Sequence, residues 1–259
     1  MRLGWMDSLR GLAILLVVVF HADLEVAGAT GSQLGVVHDV CELLGPVRMP
    51  LLMLLSGMLL TRSLAKGSRT YVVGKLQQIA WPYVVWSLLN LAQLKIQAVV
   101  EGREMGWGWV WRLAYDPPTY HWYLGYLFLY YLVALVLPSW ARVVTAAVAL
   151  AAAGVVPDDA SRLVWLFGWF LLGDVLARQW LPRRLPSVAP LAAIGRESLT
   201  YYVSHLMLIM VTVDVLTRVG LRAPYLMLVV AVALSLAVGR LLVQLRRHRV
   251  VDALFVWPT

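Results

Sequence analysis

Apolar residues along this chain lie in long blocks rather than in short alternating runs. A membrane-spanning helix needs about 20 largely apolar residues. Blocks of roughly this length cover 9–28, 46–64, 77–96, 119–137, 140–156, 162–179, 199–217 and 224–244. The pattern therefore predicts an all-α, polytopic transmembrane helix bundle with about eight spans. No Pro- or Ser-rich linker divides the chain, which predicts a single domain over residues 1–259.

Composition supports a multi-pass protein of the cell membrane. The chain has 259 residues, of which 61% are hydrophobic and 14% are charged, whereas about a quarter of the residues of a soluble domain are charged. Its one cysteine, Cys41, excludes an intrachain disulfide and argues against a cysteine metal site. No metal constellation and no phosphate-cradling glycine motif is found, so we expect no metal.

The net charge of +8 predicts orientation rather than a nucleic-acid partner. Basic residues cluster in short loops that fall on one side if the number of spans is even, and cytoplasmic loops carry such an excess. Both termini are therefore predicted to be cytoplasmic, although Arg218 and Arg222 are exceptions. The predicted cytoplasmic set is Arg2, Arg10, Arg62, Lys66, Arg69, Lys75, Arg142, Arg178, Arg183, Arg184, Arg196, Arg246, Arg247 and Arg249.

The first block, "LRGLAILLVVVFH", places Arg10 and His21 eleven residues apart. Eleven residues are three helical turns, so both side chains share a face about 16 Å apart along the axis. An ionisable group in hydrocarbon is costly and is a functional hypothesis by default. His21 is thus a candidate site residue near the bilayer midplane. The alternative is a topology anchor at Arg10 and a hydrogen-bonded packing residue at His21.

The same block also resembles a secretory signal peptide. Basic residues precede the apolar run, and "AGA" at 27–29 has the composition of a cleavage site. Asp23 and Glu25 stand between the run and that site, which disfavours cleavage.

Two further polar positions follow from the spans. Arg48 begins the second block at the predicted outer face, where it is expected to approach His21 or to serve as an interface anchor. His205 lies seven residues after Ser198, about two turns into the seventh block. It is a candidate substrate-binding residue, or a bundle histidine whose hydrogen bonds are satisfied.

The fourth block opens on an aromatic stretch that includes a histidine. Tyr120, His121 and Trp122 fall at the predicted outer face, and we expect them to contact the substrate. Tyrosine and tryptophan there are also typical of an interfacial aromatic belt.

Four stretches resemble the acyltransferase 3 family of integral membrane O-acyltransferases. They occur in the family's order. Each is weakly specific alone, and together they are hard to obtain by chance. They read "MDSLRGLAILLVVVFH", "RMPLLMLLSGMLL", "KLQQIAWPYVVW" and "IGRESLTYYVSH".

This resemblance implies transfer of an acyl group, commonly acetyl, from a cytoplasmic coenzyme A thioester. The acceptor implied is a hydroxyl on a sugar of a surface glycan, a lipid-linked intermediate or a small natural product. His21 matches the family's catalytic histidine, and Arg10 matches an arginine needed for activity at the donor.

The chain also departs from the family pattern. The family usually has about ten spans, compared with about eight here. Its third helix usually carries several arginines before the Pro-Tyr pair, where this chain has Gln77 and Gln78 and keeps Lys75. Tyr120 occupies the place of a family histidine, and His121 is adjacent.

A mechanism combines these expectations. The expected donor is an acyl-CoA, commonly acetyl-CoA. Its phosphates are held by Arg10, Lys75, Arg62 and Arg69. His21 takes the hydroxyl proton or is acylated first. Arg48 stabilises the oxyanion or the acceptor. The sequence leaves open the identity of the acceptor, the length of the acyl chain and the oligomeric state. It also leaves open whether transfer is direct or passes through an acyl-histidine intermediate.

Two other functions remain open at this point. A non-enzymatic transporter or exporter of a small polar substrate or glycolipid would also use polar residues at the midplane. A haem or quinone protein would use His21 and His205 as ligands on facing helices.

Overall fold

The predicted apolar blocks form helices throughout. The computed structural model describes residues 3–106, 108–113, 120–179 and 185–258, and within these ranges it contains no strand. Arg2, Thr119, Arg183 and Arg184, which belong to the predicted topology, lie outside the described residues.

The helices follow one another with short connections. The first half contains α1 Gly4–Thr30, α2 Val36–Leu43, α3 Gly45–Gly57, α4 Leu60–Leu64, α5 Ser68–Lys75, a π-helical turn Leu76–Ala80, α6 Trp81–Val100 and α7 Gly108–Arg112. The second half contains α8 Trp122–Val136, α9 Ser139–Ala152, α10 Asp158–Gln179, α11 Ala189–Arg196, α12 Ser198–Arg218, α13 Pro224–Leu245 and α14 Arg249–Asp252.

Six helical stretches of the described chain are long and apolar enough to cross a membrane. They are Gly4–Thr30, Gly45–Leu64, Ser68–Val100, Ala160–Gln179, Ser198–Arg218 and Pro224–Leu245. The other two predicted blocks form the shorter apolar helices α8 and α9, of 15 and 14 residues. The all-helical membrane fold is therefore confirmed, while the count of eight spans and the cytoplasmic termini stay predictions.

The chain divides into two compact units, each assembled from separate segments. Unit 1 comprises Met1–Leu16, Glu42–Lys75 and Tyr126–Ser198, and unit 2 comprises Val17–Cys41, Leu76–Gly125 and Leu199–Thr259. Each unit takes residues from the beginning, the middle and the later part of the chain. The single domain over 1–259 stays a prediction.

Glycines bring helices of unit 1 together at backbone distance. A Cβ atom added to Gly57 of α3 would overlap the carbonyl of Phe170 in α10, and one added to Gly173 of α10 would overlap the carbonyl of Leu54. Small residues at such crossings let membrane helices approach closely and pack by van der Waals contact. The α3–α10 crossing therefore depends on the absence of side chains at two positions.

A buried carboxylate also joins helices of unit 1. Asp174 of α10 is fully buried and accepts hydrogen bonds from Thr61 Oγ1 at 2.5 Å and from Arg142 at 3.1 Å. Arg178, one turn further along α10, approaches it at 3.2 Å. A buried carboxylate is tolerated only when paired and hydrogen-bonded, and here it ties α4 and α9 to α10.

The C-terminal segment of unit 2 packs against the start of α6. The indole nitrogens of Trp81 and Trp86 donate to the carbonyls of Ala253 and Leu254 at 2.7 and 3.0 Å. Phe255 is fully buried and lies with its ring centroid 5.3 Å from that of Trp86. The segment after α14 is therefore part of the packed core of this unit.

Candidate functional site

His21 lies in the part of α1 that belongs to unit 2, and its side chain is buried. Its Nδ1 atom lies 2.9 Å from the carbonyl oxygen of Val17, one turn back along α1. The same atom lies 3.1 Å from Nε2 of His205 in α12. Two residues that are 184 positions apart in sequence thus form a buried imidazole pair.

His205 is held in place by its own helix. It is 2% exposed, and its Nδ1 atom lies 2.5 Å from the carbonyl oxygen of Tyr202. The ring centroids of His205 and His21 are 5.0 Å apart. The interpretation of His205 as a buried polar residue of the bundle agrees with this geometry, and its partner is the candidate catalytic histidine.

Tyr120 also contacts the ring of His21. The edge-on contact between the two rings has a centroid distance of 4.7 Å. The Tyr120 carbonyl accepts a hydrogen bond from the Tyr202 hydroxyl at 2.6 Å. The Tyr202 carbonyl also accepts from His205. Tyr202 therefore hydrogen-bonds to both Tyr120 and His205, the two residues whose contacts with His21 are described above.

His121 makes a different set of contacts. It is 3% exposed, its Nε2 donates to the carbonyl of Val203 at 3.0 Å, and its Nδ1 lies 3.4 Å from the Ser87 hydroxyl. Both ring nitrogens therefore have protein partners that connect α6 to α12. The adjacent Trp122 packs edge-on against Tyr123, with centroids 6.5 Å apart. Substrate binding by His121 and Trp122 stays a prediction.

Several polar contacts were missed by sequence reasoning. Asp23 is 1% exposed and pairs with Nδ1 of His38 at 3.0 Å. Asp174 also escaped attention, although an acidic residue within an apolar block is itself a signal. Ser87 and Tyr202 gave no comparable signal, because hydroxyl-bearing residues are common in membrane helices.

Arg10 belongs to unit 1, where it contacts the end of α3. Its NH2 donates to the carbonyl oxygen of Leu55 at 3.2 Å. That carbonyl is available because the N–H of Leu59 donates to Ser56 instead, where α3 ends at Gly57. The last carbonyls of a helix lack partners within it. Arg10 is half-buried, and a guanidinium has further donors with which it can bind an anion.

Lys75 lies near the same end of α3. Its Nζ atom is 3.6 Å from the ring centroid of Tyr131, in a cation–π contact. The Tyr131 hydroxyl donates to the Ser56 carbonyl at 3.0 Å, and the Tyr71 hydroxyl donates to the Tyr131 carbonyl at 2.7 Å. Of the two predicted donor-binding cations, Arg10 therefore bonds directly to an α3 carbonyl, whereas Lys75 contacts a tyrosine that bonds to the adjacent one.

The remaining predicted cations have different environments within unit 1. Arg62 in α4 and Arg69 in α5 are exposed, whereas Arg48 in α3 is 8% exposed. The approach of Arg48 to His21 stays a prediction, as do the roles of all three residues.

A comparison with protein families matches the N-terminal part of the chain. The family described as an acyltransferase domain, Acyl_transf_3, matches residues 3–157. This range contains Arg10, His21, Lys75 and Tyr120 and three of the four resembling stretches, whereas His205 lies beyond it. No curated protein and no solved structure matches the chain.

Proposed function

Because the chain belongs to the acyltransferase 3 family, we propose that this membrane acyltransferase moves an acetyl group from cytoplasmic acetyl-CoA to a hydroxyl group. The acceptor is a sugar in a glycan or in a lipid-linked intermediate. The observation that carries the proposal is the buried His21 imidazole, which lies in the first helix of the matched range and contacts His205 and Tyr120.

The reaction needs a base for the acceptor hydroxyl. Its oxygen attacks the thioester carbonyl carbon while its proton passes to His21. The carbon–sulfur bond then breaks, and the proton is returned to the sulfur of coenzyme A. An imidazole is suited to both transfers because its ordinary pKa is near neutrality. In the alternative route, His21 attacks the thioester and expels the coenzyme A thiolate, and the hydroxyl then takes the acyl group from the ring while its proton passes to that thiolate.

The donor requires cations for its phosphates. We assign Arg10 and Lys75 to this task, with Arg62 and Arg69 as further contacts, because guanidinium and ammonium groups bind phosphate through charge-assisted hydrogen bonds. The Arg10–Leu55 bond supports the assignment, since it orients the guanidinium while leaving it other donors. Arg48 is assigned to the oxyanion or the acceptor.

Family membership favours acyl transfer over the two other functions. The transporter and the haem or quinone protein both rested on polar residues within the membrane, which an acyltransferase also requires. The hydrogen bond between His21 and His205 gives these two residues a direct interaction that needs no iron between them.

The test compares acetyl transfer by a His21→Ala variant with transfer by a variant of an exposed histidine. Membranes containing the protein are incubated with [14C]acetyl-CoA and octyl glucoside as a hydroxyl acceptor, and alkali-labile label in the glycolipid fraction is measured. His21→Ala is expected to lower transfer by about 10²–10⁴-fold, the usual contribution of a general base. The exposed His248 supplies the control His248→Ala, which should match the wild type. Equal transfer by His21→Ala at equal expression would contradict the proposal.

A further inference from the structure

The hydrogen bonds of His205 indicate which of its ring nitrogens carries the proton. Its Nδ1 atom lies 2.5 Å from the carbonyl oxygen of Tyr202. A carbonyl oxygen only accepts hydrogen bonds, so this nitrogen carries the proton. In a neutral imidazole the other nitrogen, Nε2, is then an acceptor, and Nε2 is the atom that faces His21 at 3.1 Å.

The contacts of His21 agree with a neutral His205 that is protonated at Nδ1. Its Nδ1 atom faces the carbonyl of Val17 at 2.9 Å and Nε2 of His205 at 3.1 Å. Both partners are acceptors, so Nδ1 of His21 carries the proton. If His205 were an imidazolium instead, its Nε2 would carry a proton and donate it to His21. The Nδ1 atom of His21 would then have to be an unprotonated acceptor. Its lone pair would face the Val17 carbonyl oxygen, which is also an acceptor, and the two would repel each other.

We propose that His205 is a positioning residue that holds His21 in the tautomer protonated at Nδ1, which places the basic lone pair on Nε2. The consequence for catalysis rests on the proposed function, because Nε2 is then the atom that receives the acceptor's proton. The nitrogen that works in catalysis is set by the hydrogen bond that the other nitrogen makes. His205 keeps its own Nδ1 proton throughout the reaction.

A neutral orienting group suits a buried site in a membrane protein. In many hydrolases a carboxylate orients the histidine, but an isolated carboxylate is costly in a hydrophobic interior. An imidazole acceptor orients His21 without adding a charge. When His21 takes up a proton, its Nδ1–H bond to His205 becomes charge-assisted and therefore stronger, which stabilises the protonated intermediate.

Three variants of α12 separate orientation from packing. In His205→Gln, the amide oxygen reaches the place of Nε2 and still accepts from His21. In His205→Phe, a ring of similar size removes the acceptor. Thr212→Val is the control, because the Thr212 hydroxyl bonds only within α12, to the Leu208 carbonyl.

The tautomer is measured directly by nitrogen NMR of [15N]histidine-labelled protein in nanodiscs, with the His21 signals assigned by their loss in His21→Ala. The wild type, His205→Gln and Thr212→Val are expected to show His21 protonated at Nδ1, whereas His205→Phe should show a mixture or the Nε2 form. A wild-type His21 protonated at Nε2, or a His205→Phe spectrum identical to wild type, would overturn the inference.

Kinetics supply the second readout. His205→Phe is expected to lower kcat for acetyl transfer to octyl glucoside by about 10–100-fold. This is the range seen when the hydrogen-bond partner that orients a metal-ligating histidine is removed. KM for acetyl-CoA should not change. His205→Gln should recover most of kcat. A parallel loss of kcat in the Gln and Phe variants would show that restoring the hydrogen-bond acceptor does not restore activity, and would refute the positioning role.

The two proposals fail separately. If His21→Ala keeps full transfer activity, the base assignment of the proposed function is wrong, yet the NMR result still decides whether His205 sets the tautomer. If His21 is essential but its proton resides on Nε2, the positioning role is wrong and the proposed function stands.

Discussion

Removal of the Asp174 carboxylate is expected to destabilise the protein strongly. In Asp174→Ala, the guanidinium of Arg142 loses its charged partner at 3.1 Å while its side chain stays 8% exposed. Arg142 keeps two backbone acceptors, the carbonyls of Ala134 and Leu137, but a carbonyl carries no net charge to balance that of the guanidinium.

The magnitude follows from the burial of both partners. Breaking a buried ion pair by removing one member costs about 3–5 kcal/mol, because an uncompensated charge remains. At about 2–4 °C per kcal/mol for a chain of this size, the expected loss in Tm is roughly 6–20 °C. The 2.5 Å bond from Thr61 adds to the loss only modestly, because that residue is exposed to water.

The assay compares Asp174→Ala with a paired replacement, Asp174→Leu with Arg142→Met. Purified protein in detergent is heated in steps, and the fraction that stays monodisperse on size-exclusion chromatography gives Tm. Replacing a buried ion pair by apolar residues is often neutral or stabilising. Arg178, the second arginine beside Asp174, is 30% exposed and can be solvated by water, so the double variant should recover most of the loss. An Asp174→Ala variant that melts with the wild type, or a double variant that melts below Asp174→Ala, would refute the reasoning.

Two further stability predictions use the same heating assay. Gly57→Ala should lower Tm, because its Cβ would overlap the Phe170 carbonyl and force α3 away from α10 at a cost of about 1–3 kcal/mol. Gly74→Ala is the control, because a Cβ added there meets open space and should leave Tm unchanged. Equal melting of the two variants would contradict the close crossing. Phe255→Ala should cost about 3–5 kcal/mol because its side chain is fully buried, whereas Val250→Ala at an 83% exposed position should change little. Similar small shifts at both positions would show that the C-terminal segment is not part of the core.

Residue pattern was sufficient to predict what depends on local chemistry. Each apolar block is helical because backbone polar groups in lipid must be satisfied within the segment itself. His21 and Arg10 were predicted as site candidates because an ionisable residue beside a long apolar run is costly without a role. The family resemblance, carried by short quoted stretches, is confirmed over residues 3–157.

Contacts between segments that are distant in sequence could not be predicted from the pattern of apolar and polar residues. His205 was predicted as a buried polar residue, but its partner lies 184 positions earlier, and no periodicity relates the two. Tyr120 was predicted to lie near the substrate from its place in an aromatic stretch, but its contact with the His21 ring depends on how the segment before α8 packs against α1.

The sequence by itself determined the helices, their membrane character, the family and the identity of the candidate base. Only the tertiary structure decided which atoms meet, since the Nδ1 atom of His21 faces a carbonyl of its own helix and a ring nitrogen of α12, which is far away in sequence. The physical reason is that apolar burial and helix formation are read from neighbouring residues, whereas hydrogen-bond direction depends on a partner's position to within a few tenths of an ångström.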